Sequence, residues 1–153
     1  MRIIIQMMIA VLMVLSPMAA EAKSRVPDLM SRADSQHCVA SVIYYEALGE
    51  SREGKIAVAS VVMNRVKSGK YASTPCGVIY QKGQFSWINP RYRTRIYDAR
   101  MWQESLNIAQ LVLSGQVRDN TNGALYFHNY RVHPSDIRSR RIVARIGRHV
   151  FVK

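Results

Sequence analysis

QHCVASVIYYEALGESREGKIAVASVVMNRVKSG, residues 36–69, decides the fold, because it holds two helical patterns separated by a glycine. Val39, Ala40, Val42, Ile43 and Ala47 recur three and four residues apart, which predicts a helix over 36–48 with one apolar face. Gly49 fits the position just past its end. Ser51 is a residue type whose side-chain oxygen caps a helix start, and Glu53 falls in the first turn, where its charge complements the helix dipole. Ile56, Ala59, Val62, Met63 and Val66 form the inward stripe of this second helix, and Ser68-Gly69 closes it.

Toward the C-terminus a loop follows, rich in Tyr, Gly and Lys. It carries Cys76 and the string GQFSW at 83–87, and Pro90 with Arg91, Arg93 and Arg95 keeps its end irregular and basic. A third helix is predicted from Asp98 to Ser114, with Trp102, Leu106, Ala109 and Leu113 on one face and Gly115 ending it. After the turn sequence Asn120-Thr121-Asn122-Gly123 the period changes. ALYFHN (124–129) is aromatic and strand-like, and RIVARIGRHVFVK (141–153) reads as two short strands around Gly147. Helices first and a small antiparallel sheet last make an α+β domain.

Toward the N-terminus, Arg2, an apolar run from Ile3 to Leu15 and Ala20-Glu21-Ala22 have the layout of a secretory signal peptide over 1–22, cleaved before Lys23. The apolar run is short for a membrane span, and an uncleaved anchor is the alternative. Residues 23–35 are polar and read as a mobile lead-in. Removal of 1–22 deletes one charge of each sign, Arg2 and Glu21, so the remaining chain keeps the formal +12. Such a charge predicts a polyanionic partner: wall polymer, membrane surface or extracellular nucleic acid. Cys38 and Cys76 are the only cysteines. Export predicts that they pair, and two free buried thiols are the alternative.

Carboxylates are scarce beyond residue 22: Asp28, Asp34, Glu46, Glu50, Glu53, Asp98, Glu104, Asp119 and Asp136. Glu53 and Asp98 suit helix starts, and Glu104 suits a charged helix face. Glu46 sits at the end of an apolar helix between Tyr45 and Ala47. A carboxyl held against apolar groups keeps its proton to higher pH, as a general acid requires. From spacing alone, a solvent-facing helix-end glutamate is the commoner case. Gln84, Phe85, Ser86 and Trp87 combine flat apolar faces with an amide and a hydroxyl, and Tyr126, Phe127, His128 and Asn129 offer a similar mixture. That combination suits sugars, which are apolar on ring faces and hydroxylated at the edges; core packing is the alternative for Phe85 and Phe127. His37, His128, His133 and His149 show no H-E-x-x-H spacing, and neither a G-x-S-x-G elbow nor a phosphate-cradling glycine loop is present.

At YYEALGESREGKIAVASVVMNRV (44–66), CGVIYQKGQFSW (76–87), GALYFHN (123–129) and RIGRHVFV (145–152), the sequence resembles the cell-wall hydrolase family typified by the spore cortex-lytic enzyme SleB. The four blocks stand in family order and are spread from residue 44 to residue 152. The resemblance implies a lysozyme-like or lytic-transglycosylase-like single domain over 36–153, acting on peptidoglycan glycan strands, with Glu46 as catalytic acid; from the spacing above, no cofactor or metal is expected. Tyr45, Glu50, Gln84, Phe85, Ser86, Trp87, Tyr126, His128 and Asn129 are then the expected substrate-binding residues. Exported members often carry cysteines matching Cys38 and Cys76. Two departures stand out: Leu48 replaces a usual arginine, and Ser135-Asp136 replaces a stretch where an aromatic is expected.

Two carboxylates about 5 Å apart serve a retaining glycosidase, and a wider pair serves an inverting one. A transglycosylase needs one. Glu50 is the candidate second carboxylate, or an orienting hydrogen-bond acceptor. The expectation is therefore an exported wall enzyme, located in the periplasm, in the extracellular wall or as a wall-directed phage lysin. It cuts the MurNAc–GlcNAc bond and leaves 1,6-anhydro ends, with no nucleic-acid partner and no membrane span after cleavage. The rivals are a metal-dependent peptidoglycan amidase and a non-catalytic wall-binding module.

Overall fold

The computed structural model describes residues 18–89, 91, 95–132, 134, 135, 137 and 139–153, giving backbone only over 18–30. The chain forms two compact units, residues 1–33 and 34–153. The described part of the first is helical and begins α1 (Met18–Ala47). Residues 23–35, expected as a mobile lead-in, lie within this helix. The apolar run Ile3–Leu15 lies outside the described residues. Among those described, no helix is long and apolar enough to cross a membrane.

In the second unit, α1 buries Val39, Ala40, Val42, Ile43 and Ala47, the apolar face read from the sequence, together with Tyr44. The helix α2 (Arg52–Ser68) starts where expected, with Ser51 Oγ accepting the Gly54 N–H at 3.3 Å. It ends on Gly69 in the left-handed conformation, φ 67°. Gly49 follows α1 but is not a left-handed cap, since its φ is not positive; its nearest neighbour is the tip of the Arg148 side chain.

The segment expected as loop contains a short helix, α3 (Pro75–Tyr80), capped by Thr74 Oγ1, which accepts the Gly77 N–H at 3.1 Å. A single 3-10 turn follows at Ser86–Ile88. The Cys38–Cys76 disulfide ties α1 to α3, with Cα atoms 5.3 Å apart. The third predicted helix is α4 (Ala99–Leu113), capped by Asp98, whose carboxylate accepts the Met101 N–H at 2.9 Å. Across α2 and α4, the buried Lys55 ammonium meets Glu104 at 2.9 Å.

The sheet comprises β1 (Tyr126–Asn129), β2 (Ile142–Ile146) and β3 (His149–Val152), antiparallel in the order β1-β3-β2. Successive strand residues face opposite sides, so the sheet has two environments. Phe127, Phe151 and Ile146 pack with the helices, while Tyr126, Val150 and Val152 gather around Ile137 on the other face. β2 carries a bulge: Ile142 pairs with Val152 and Ala144 with Phe151, leaving Val143 as the extra residue.

Candidate active site

Glu46 lies in the last turn of α1. Its neighbour Tyr44 is buried, and the Tyr44 hydroxyl accepts the N–H groups of Tyr97 and Asp98, both at 3.1 Å, which fixes the start of α4 against α1. The Tyr44 ring meets Tyr45 edge-on at 5.2 Å and Trp102 at 5.9 Å. Tyr45 in turn stacks at a tilt on Trp87 at 4.8 Å, and Trp87 approaches Phe85 at 5.8 Å. An aromatic wall therefore runs from the end of α1 to the GQFSW segment.

The Glu46 carboxyl is half-buried against this wall. Burial raises its pKa above the ordinary carboxylate value, and the Trp87 side chain partly offsets the rise. The indole Nε1 is itself buried and closes no hydrogen bond of good geometry, so the offset is small beside the loss of hydration. The C-terminal end of a helix also disfavours negative charge, which acts in the same direction as burial. A raised pKa is the direction that a general acid requires.

Glu50 is arranged oppositely. Its side chain is only 4% exposed, and its carboxylate accepts hydrogen bonds from the Arg148 main-chain N–H at 3.1 Å and from Arg148 Nε at 2.7 Å. Burial alone would raise its pKa, but these two bonds and the nearby charges of His149 and Arg148 outweigh burial and hold it below the usual range. The tip of the β2–β3 hairpin is shaped to this contact, since a Cβ at Gly147 would overlap Glu50 Oε2. His149, buried beside it, is shifted down, first by burial and then by Arg148 and His128, against the opposing pull of Glu50.

Of the expected substrate-binding residues, Tyr45 and Trp87 form the partly exposed part of the aromatic wall, with Trp87 beside Glu46, whereas Phe85 is buried in the core beneath them. Ser86 is exposed and Gln84 half-buried on the same segment. Beside them is a depression of about 510 Å³ lined by Tyr80, Gln81, Lys82, Phe85, Ser86 and Asn89, with Glu46 outside its lining. The second expected group is divided. Phe127 packs with the helices, whereas Tyr126 belongs to the cluster on the other sheet face and His128 lines a separate cavity there. Asn129 serves a local turn, its side-chain oxygen accepting the Arg131 N–H at 3.0 Å.

Two residues escaped the sequence reading. Arg65 is 5% exposed, donates from Nε to the Leu125 carbonyl at 2.7 Å, and lies among the rings of Tyr71, Phe85 and Tyr126 at 5.2 to 5.8 Å. It joins α2 to both the GQFSW segment and β1. Its place in the i, i+4, i+7 register with Val58 and Val62 was the available clue. Arg148 gave no such clue. Among the described residues no three His, Cys, Asp or Glu side chains gather as metal ligands; His133 and Asp136 lie outside the described residues.

Comparison with known proteins gives a consistent answer. The sequence profile of the cell wall hydrolase family matches residues 49–152, a stretch that begins just beyond Glu46. A spore cortex-lytic enzyme of Oceanobacillus iheyensis is 34% identical over 131 residues, covering 84% of this chain and 44% of that enzyme. The chain spans less than half the length of such curated relatives. The crystal structure of the catalytic domain of the Bacillus cereus SleB protein superposes with a TM-score of 0.63 at 27% identity, covering 79% of this chain and 91% of that domain. The catalytic domain of the germination-specific lytic transglycosylase SleB from Bacillus anthracis gives 0.62 at 29% identity, covering 78% and 93%. The helices and three-stranded sheet are thus those of SleB catalytic domains, the lysozyme-like α+β fold expected from the sequence.

Proposed function

The chain belongs to the cell wall hydrolase family, and from that premise we propose that it cleaves peptidoglycan glycan strands at the MurNAc–GlcNAc bond as a lytic transglycosylase, with Glu46 as its single acid and base. The observation that carries the proposal is the Glu46 carboxyl, half-buried beside Trp87, with burial raising its pKa above the ordinary carboxylate value.

In the proposed cycle Glu46 gives its proton to the oxygen linking muramic acid to glucosamine, and the bond from that oxygen to the muramic C1 breaks. The resulting carboxylate takes the proton of the muramic C6 hydroxyl as its oxygen bonds to C1. A 1,6-anhydro ring closes, Glu46 is protonated again, and no water is consumed. Glu50 supports the single-carboxylate scheme, because its oxygens are engaged by Arg148 rather than presented to a substrate or water. The likeness to a solved domain titled a lytic transglycosylase supports the same choice. Tyr45 and Trp87, both partly exposed, offer faces for sugar rings, with Gln84 and Ser86 for their hydroxyls. The depression beside Phe85 falls in the size range of ligand sites, about 300–1,000 Å³, and suits the continuing strand. An N-terminal segment with the layout of a signal peptide supports export to the wall, where this substrate lies.

Mass spectrometry of the products decides between the mechanisms. Digested sacculi are expected to show muramic ends lacking the elements of one water; only water-added reducing ends would overturn the transglycosylase assignment.

A further inference from the structure

On the sheet face turned away from the helices there is a cavity of about 160 Å³, distinct in its lining from the wall around Glu46. Its apolar surface comes from Val150, Val152 and Ile137, all buried. The partly exposed Tyr130 and Ile142 flank it, at 46% and 49% exposure, so apolar surface continues to the rim. Every charged group among its described lining residues is basic: Arg140 and Arg145, with His128 beside them. The Arg140 guanidinium is not loose, since it lies 3.9 Å over the Tyr126 ring.

The bulge in β2 is what assembles this lining. Ile142 and Arg145 are three residues apart, so in a regular strand they would face opposite sides of the sheet. The extra residue Val143 restores them to one side, and both reach the cavity. The bulge is held from outside the sheet: Asn122 Nδ2 donates to the Val143 carbonyl at 3.0 Å. Asn122 does so from a left-handed backbone, φ 56°, a conformation that Asn tolerates better than most side chains. Aiming Arg145 at the cavity therefore rests on an anchored distortion.

We propose that this cavity binds the acidic peptide arm of the wall polymer, seating one aliphatic side chain on Val150 and Val152 and a carboxylate between Arg140 and Arg145. The inference rests on the glycosidase reading for the identity of the polymer. The cavity is smaller than the about 300–1,000 Å³ typical of sites for larger ligands, which favours a single amino-acid residue over a sugar pair. Two guanidiniums match carboxylates geometrically and electrostatically. The sheet would then read the peptide while the aromatic wall reads the glycan.

The test is calorimetric titration of a glycan-free L-alanyl-γ-D-glutamyl stem peptide into the full chain. Wild type and Glu46→Gln are expected to bind it equally. Arg145→Ala and Arg140→Gln are each expected to weaken binding by at least about tenfold, the loss of one charge-assisted hydrogen bond. Arg145→Lys is expected to recover part of the loss, which separates charge from folding, and thermal melting of each variant checks that the sheet is intact. No binding by wild type, or unaltered binding by both alanine and glutamine variants, overturns the proposal. So does binding of anionic phospholipid vesicles through these arginines without peptide binding. Cleavage of peptide-stripped glycan is followed in parallel. Its absence in wild type counts against the glycosidase reading, whereas intact cleavage with no peptide binding counts against the peptide site alone.

Discussion

The Glu50 carboxylate accepts two hydrogen bonds from one residue, Arg148, through the main-chain N–H at 3.1 Å and the side-chain Nε at 2.7 Å. These residues are 98 positions apart, so the pair fastens the tip of the β2–β3 hairpin to the turn after α1, four residues beyond Glu46. Its role is positional: it fixes where the end of α1 sits.

Arg148→Ala is expected to destabilise the chain by about 1–3 kcal/mol, because a nearly buried carboxylate loses a charged donor. Gly147→Ala is expected to cost more, since the added methyl meets Glu50 Oε2 and the position has φ 55°. Urea unfolding of both variants measures the two costs; a Gly147→Ala protein as stable as wild type would mean that the hairpin tip is not tight.

Acid stability follows from the same cluster. A carboxylate whose folded pKa is lowered contributes stability that is present above the unfolded value, 4.5, and disappears as pH falls through the folded one. His149 is also lowered, so its contribution is intact above its unfolded 6.5 and declines as pH falls below that. The melting temperature should therefore fall in two stages on acidification. Glu50→Gln is expected to flatten the lower stage and His149→Gln the upper one.

Glu46 has the opposite sign. Its folded pKa is raised, so its ionisation on going from pH 4.5 toward neutral costs stability in the wild type. Glu46→Gln should melt higher than wild type at neutral pH, with the difference vanishing in acid. Replacing Trp87 by Phe removes the group that partly offsets the rise, and the basic limb of the activity–pH profile should move upward. Profiles that coincide would remove Trp87 from the account.

The disulfide closes a loop of 38 residues, which on the chain-entropy model stabilises by about 4 kcal/mol. A Cys38→Ser, Cys76→Ser double variant is expected to lose stability of that order, and wild type should lose the same amount in reductant. Equal melting of oxidised and reduced protein would show that the bridge is dispensable.

The helices with strong periodicity and a cap were legible in the sequence: Ser51 and Asp98 announced the starts of α2 and α4, and Gly147 announced the hairpin. The helix Pro75–Tyr80 was not, because six residues carry too little periodicity to be distinguished from loop, although Thr74-Pro75 has the form of a helix start. The early beginning of α1 was hidden by Pro27 and by a polar stretch that carries no apolar stripe. At the site, the neighbourhood of Glu46, Tyr45 and Trp87 could be anticipated from the aromatic content of two segments. The division of Tyr126 and His128 from Asn129 follows from strand alternation once YFHN is placed in the sheet. The Glu50–Arg148 pairing could not be read, since it depends on how a hairpin tip meets a helix end from across the chain.

The most direct measurement is digestion of purified sacculi by wild type beside Glu46→Gln, following soluble glycan release. Wild type is expected to release glycan and the variant to lose at least about 100-fold in rate, with its fold retained. Glycan release by Glu46→Gln at the wild-type rate would contradict the assignment of Glu46.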